Sequence, residues 1–136
     1  MEEKNVNTLP HLSTDVPTRF MMLLPLGDLP ISGGWGYSRE DAVVIETDDP
    51  MEGVSLEYKF IEQRTRFEVC ELEDEYYLEH YERERQALVF HDEVPYDIIT
   101  YKVTIGNFED DSTTEHIVQC WFNIAQFFGK YCKYDD

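Results

Sequence analysis

Ile99-Thr100-Tyr101-Lys102-Val103-Thr104-Ile105 alternates apolar and polar side chains without a break. Successive side chains of an extended chain point to opposite faces. The stretch therefore offers Ile99, Tyr101, Val103 and Ile105 to a core, with Thr100, Lys102 and Thr104 on the other side. A strand with one apolar face and one polar face fits an antiparallel sheet covered on one side.

Reading outward, Gly106-Asn107 and the acidic turn Glu109-Asp110-Asp111 end the strand. Ser112 or Thr113 can then cap a final helix running to about Lys130, with Ile117, Trp121, Ile124 and Phe128 at helical spacing. A strand over residues 117–122 is the competing reading. On the other side, the segment from His91 to Pro95 is a break. Before it, residues 71–89 place Tyr77, Tyr81 and Leu88 on one helical stripe, with Glu79 four residues ahead of Arg83, which predicts a helix.

Residues 54–70 carry two patterns. Val54, Leu56, Tyr58 and Phe60 alternate as in a strand, while Leu56, Phe60, Ile61 and Phe67 share part of a helical face. The alternation favours a strand at the start. Asp48-Asp49-Pro50 and Gly53 read as a turn, and Val43-Val44-Ile45 as a short strand. Ser38-Arg39-Glu40-Asp41 has the spacing of a capped helical turn. Residues 20–24 read as a buried strand stopped by Pro25, and residues 26–37 hold four of the seven glycines, a loop with unusual backbone angles. The expected organisation is a flexible N-terminal arm over residues 1–17 and one α+β domain over 18–136. In that domain a mainly antiparallel sheet packs against one or two helices.

The balance of 29 acidic against 11 basic residues gives a formal net charge of -18. Such a chain repels DNA, RNA and anionic membrane, so direct nucleic-acid binding is not expected, whereas a basic protein partner is. An apolar fraction of 42 % with 14 % aromatic residues is too rich for a disordered chain. Cys70, Cys120 and Cys132 are odd in number and form no CxxC pair, which argues against a secreted disulfide scaffold. No apolar leader opens the sequence, and the apolar run at 20–24 is too short to span a bilayer. A cytoplasmic protein is the expectation.

Two stretches stand out as contact surfaces. In Ser32-Gly33-Gly34-Trp35-Gly36-Tyr37, Trp35 and Tyr37 are flanked by glycines that free backbone amides, although Trp35 reads equally as a plug for the core. The acidic segment with Glu73, Asp74, Glu75 and Glu79 is interleaved with Tyr77 and Tyr81, and can meet a basic surface with both charge and flat apolar area. The plain alternative is a solvated helix face.

His11, His80, His91 and His116 are scattered and form no HxxxH or HExxH, so neither a metal nor a cofactor is expected. Cys120 lies in an apolar setting that makes a thiol inert, and Ser38 is not in a GxSxG context. The preferred function is a small acidic interaction protein, in its most concrete form an inhibitor or immunity-type protein covering a basic active site. One alternative is a small-molecule enzyme with a pocket beside residues 33–37 and Asp41 or a histidine as its acid–base group. Another is a self-assembling subunit joined through residues 117–128.

Overall fold

The alternating heptapeptide lies in a central strand, β4 (Val94–Asn107), with Ile99, Tyr101, Val103 and Ile105 buried on one face. The structure, a computed structural model, describes residues 6–12 and 30–129. The strand expected at 20–24 and Cys132 lie outside the described residues. The other strands are β1 (Ile31–Gly33), β2 (Val43–Ile45), β3 (Tyr76–His91) and β5 (Thr113–Asn123), and the helix α1 spans Pro50–Cys70. They form one five-stranded sheet in the order β1-β2-β5-β4-β3. β3, β4 and β5 make an antiparallel meander, and β1 pairs antiparallel with β2. Among the described residues the one parallel contact joins β2 to β5 through Val43↔Phe122 and Val44↔Asn123. With α1 on one face, this is the α+β architecture the sequence implies.

The helix starts where a turn was expected. Asp49 caps it, its carboxylate accepting the Met51 amide at 3.0 Å, and Pro50 takes the first helical position, where no donor is needed. The strand expected at the start of residues 54–70 is thus the body of α1. Its buried residues include Gly53, Leu56, Phe60, Ile61 and Phe67, at helical spacing, but also Glu57, Arg64 and Glu68. Those charges on the inward face hide the apolar stripe, while exposed Val54 supplies a false alternation. Gly53 is required by close packing, since a Cβ there would lie 2.5 Å from the Phe127 ring.

The helix expected at 71–89 is instead β3, which is exposed from Glu82 to Phe90. Its second half is wetted on both faces and has no reason to alternate, and the register shift at Glu79 breaks the alternation of its first half, so the Tyr77–Tyr81 spacing and the Glu79–Arg83 pair imitated a helix. β3 turns into β4 through Asp92 and Glu93, both in the left-handed region at φ 51 and 67, the backbone of a two-residue hairpin. The helix expected from Ser112 or Thr113 to about Lys130 is overturned too. Residues 113–123 are β5, paired with β4 at eleven positions. Val118, Cys120 and Phe122 are fully buried while Ile117 and Trp121 lie on the opposite face, so apolar side chains of both parities blurred the period of two.

Ser38 donates its amide to the Asp41 carboxylate at 2.7 Å and opens a single 3-10 turn, Arg39–Asp41, ahead of β2. The core lies between α1 and the sheet, where Phe60 meets Phe122 edge-on and Val43, Ile45, Val103 and Val118 are fully buried. Residues 6–12 are packed on this unit. Leu9 and Leu12 are buried, and Asn7 bonds β5 through the Ile117 carbonyl at 2.7 Å and the Gln119 amide at 2.8 Å.

Candidate functional site

At one end of the sheet, two acidic loops far apart in sequence come together. The 71–75 loop joins α1 to β3, and the 108–112 loop joins β4 to β5. The Phe108 amide donates to the Glu75 carbonyl at 2.8 Å and ties one loop to the other. Local side-chain bonds shape the second loop. Asn107 Oδ1 accepts the Glu109 amide at 2.7 Å, and Asp110 Oδ1 accepts the Ser112 amide at 2.9 Å. The Ser112 hydrogen bonds also lower the Asp110 carboxyl below its ordinary range.

Between the loops lies an aromatic pair. Tyr77 stacks on Phe108 with ring centroids 4.3 Å apart, and Phe108 is 68 % exposed. The Tyr77 ring lies across the backbone of Gly106, its partner on β4, where a Cβ would come within 2.3 Å of the ring. Only glycine leaves room for it. The Tyr77 hydroxyl donates to Glu79 at 3.2 Å, and burial together with that carboxylate raises its pKa. The two loops carry Glu71, Glu73, Asp74, Glu75, Glu109, Asp110 and Asp111, and residues 71–79 and 106–115 contain no lysine or arginine.

The structure brings Glu73, Asp74, Glu75, Tyr77 and Glu79 together at this pole and separates the other expected contacts from it. Tyr81 lies on the opposite face of β3, because the register shift at Glu79 reverses the alternation between it and Tyr77. Its hydroxyl donates to Glu62 on α1 at 2.5 Å, and its ring stacks on Tyr101. Trp35 is a core residue, 4 % exposed, with its ring against Phe60 and Phe67. The expectation of an exposed Trp35 contact is therefore corrected. Gly36, at φ 85, brings the chain so close to β5 that a Cβ would sit 2.5 Å from Cys120 Sγ. Tyr37 is held between His11, stacked at 4.0 Å, and the Arg64 guanidinium 4.3 Å from its centroid. Its hydroxyl donates to Glu68 at 2.5 Å and accepts the Leu12 amide at 2.9 Å, so it rivets residues 7–12 to the domain.

Phe108 and the 109–111 acids were read only as the end of a strand. Their sequence signal, an aromatic followed by three acids, gains meaning only when the hairpin register sets it beside 71–75. An open cleft of about 480 Å³ does lie beside the glycine loop, lined by Gly33, Gly34, Arg39, Asp41, Tyr96 and Asn123 among others. Its Asp41 carboxylate is engaged by Ser38, and Arg39 pairs with Glu40 at 2.9 Å. Glu57, a strongly perturbed carboxyl among the described residues, lies on the buried face of α1 and does not line that cleft. Burial pushes the Cys120 thiol up to about 12, an inert state.

Among the described residues no group of three His, Cys, Asp or Glu side chains is placed to hold a metal, and no helix is long and apolar enough to cross a membrane. The chain matches no protein-family model, no curated protein and no solved structure.

Proposed function

We propose that this chain is a small interaction protein that binds a basic protein surface through the Tyr77–Phe108 pole. The observation that carries the reading is the convergence of two acidic loops at a stacked aromatic pair whose Phe108 is exposed, without a single basic residue in either segment. Aromatic faces supply contact area at low entropic cost, and arginine-rich surfaces stack on them as well as pairing with carboxylates. The carboxylates act mainly on encounter, since exposed ion pairs are individually worth about 0–1 kcal/mol.

Within this class the most concrete version is an inhibitor or immunity-type protein that covers the positively charged active site of a nucleic-acid-processing partner, in the cytoplasm. The pole would then occupy the place where phosphates lie.

The test is affinity capture from source lysate at low salt, followed by a salt gradient, with wild type beside two variants. Release of one basic protein at a defined salt step supports the proposal. Its loss with Phe108→Ala, and its weakening with the triple reversal of Glu73, Asp74 and Glu75 to lysine, would place the contact at the pole. Undiminished capture by both variants would move the contact elsewhere on the molecule.

A further inference from the structure

β3 is an edge strand, paired with β4 on one side and with nothing among the described residues on the other. It is sixteen residues long, and its last third is apolar and open, with Leu88 48 % and Phe90 55 % exposed. An edge of that length and character is a template for another strand. Its middle reads Glu82-Arg83-Glu84-Arg85. Set antiparallel against a second copy of itself, this quartet opposes unlike charges at every position. Glu82 meets Arg85 of the second copy, Arg83 meets Glu84, and the two-fold axis repeats both pairs.

Two further observations favour that register. Six residues of Tyr76–His91 precede the quartet and six follow it, so the charge-matched register is also the one that overlaps the two strands from end to end. Glu82 and Arg85 lie opposite Lys102 and Thr100 of β4, on the sheet face away from α1, because the irregularity between Arg83 and Arg85 restores a common face. An antiparallel partner related by a two-fold axis presents its own Arg85 on that same face. The side chains of Glu84 and Arg85 make no hydrogen bond or ion pair among the described residues, while Arg83 lies over the Tyr58 ring at 5.5 Å and donates to the Tyr58 hydroxyl.

We propose that β3 pairs antiparallel with β3 of a second copy of this chain, centred between Arg83 and Glu84, to form a symmetric dimer with one continuous sheet. The apolar stretch 86–90 of each copy is then covered by residues 77–81 of the other. A net charge of -18 opposes association of two copies, but β3 itself carries three glutamates and two arginines and is nearly neutral. The inference rests on the β3 edge and not on a basic partner, although the β3 residues of the acidic pole, Tyr77 and Glu79, then lie along the seam. The competing account is that the same charges and the two irregularities of β3 guard the edge against pairing.

Sedimentation equilibrium of the full chain, at concentrations up to roughly 1 mM where even weak contacts register, separates the two. A mass of twice 16.1 kDa is expected for the wild type. Arg85→Glu alone, or Glu82→Arg alone, replaces both symmetric pairs by like charges and should weaken the dimer by about tenfold or more. Mixing the two variants restores unlike charges at both positions, so the mixture should recover the dimer that neither variant forms. Both sites are exposed, and far-UV circular dichroism checks that each variant is folded. Hydrogen exchange gives a second readout, in which every other amide from 81 to 90 gains protection with concentration. A wild type that stays at 16.1 kDa overturns the proposal, as does a dimer indifferent to both substitutions.

Discussion

Glu57 shows how far a single residue can work against the fold that holds it. It is fully buried, and neither of its carboxyl oxygens makes a hydrogen bond. Burial first, and then the Asp97 carboxyl beside it, push its pKa up to about 10. The native state therefore keeps a proton that the unfolded chain releases above about 4.5, and stability falls as pH rises between those values, by at most about 1.4 kcal/mol per pH unit. Glu57→Gln removes that slope. Urea unfolding at pH 5 and pH 8 should find the variant and the wild type close at the lower pH and the variant clearly more stable at the higher one. Parallel profiles would mean that Glu57 is ionised in the native state.

Arg64 is the opposite case, a buried charge whose two terminal nitrogens are both bonded. It donates to the Trp35 carbonyl at 3.1 Å, to the Gln119 carbonyl and Asn7 Oδ1 at 2.9 Å, and lies 3.2 Å from Glu68. Arg64→Met takes a donor from four acceptors at once and leaves the buried Glu68 without its cation, and should cost about 3–5 kcal/mol in a denaturant titration. Adding Glu68→Gln should return part of the loss, because the abandoned charge is then gone.

At the scale of elements, β4 was legible because its two faces meet different environments and its residues say so. β2 and the 3-10 turn after Ser38 were legible for local reasons, β-branching and the Ser-x-x-Asp spacing. β3 was read as a helix, and the start of α1 as a strand, with both patterns open over residues 54–70. A helix with Glu57, Arg64 and Glu68 turned inward has no clean stripe, and an edge strand wetted on both sides has no clean alternation; pattern reading depends on burial being simple. The acidic pole was half legible, since 71–75 announces itself but only the β3–β4 register brings Phe108 to Tyr77.

The hairpin at Asp92-Glu93 was expected as a break, and it carries a cost at this scale. Two residues other than glycine occupy positive φ there. Glu93→Gly should stabilise the domain by about 1 kcal/mol, measured as an increase in the urea midpoint at constant slope. A loss of stability would argue that the Glu93 side chain makes a contact the turn depends on.

At the scale of the molecule, acids of the described residues gather at several connections. The acids of the 71–75 and 109–111 loops mark one end of the sheet, and those of the 46–52 segment and the Asp92-Glu93 turn mark other connections. Gathered charge of this kind steers diffusion, so reversing Glu73, Asp74 and Glu75 to lysine should slow association with a basic partner far more than it speeds dissociation. The effect should shrink as salt shortens the Debye length below about 10 Å. Stopped-flow association at low and high ionic strength checks this. An association rate that ignores both the reversal and the salt would detach the acidic pole from encounter.

The parallel contact between β2 and β5 has a consequence in time. β3, β4 and β5 follow one another through short turns and can zip together from local contacts, whereas Val43 cannot find Phe122 until nearly the whole chain has been gathered. A ribosome delivers β1 and β2 well before β5, their register partner. Val103→Ala should therefore slow folding, while Val43→Ala should mainly hasten unfolding. β1 and β2 are synthesised before β5 yet find their places after it, and until then the apolar side chains of Val43 and Ile45 must wait without their sheet.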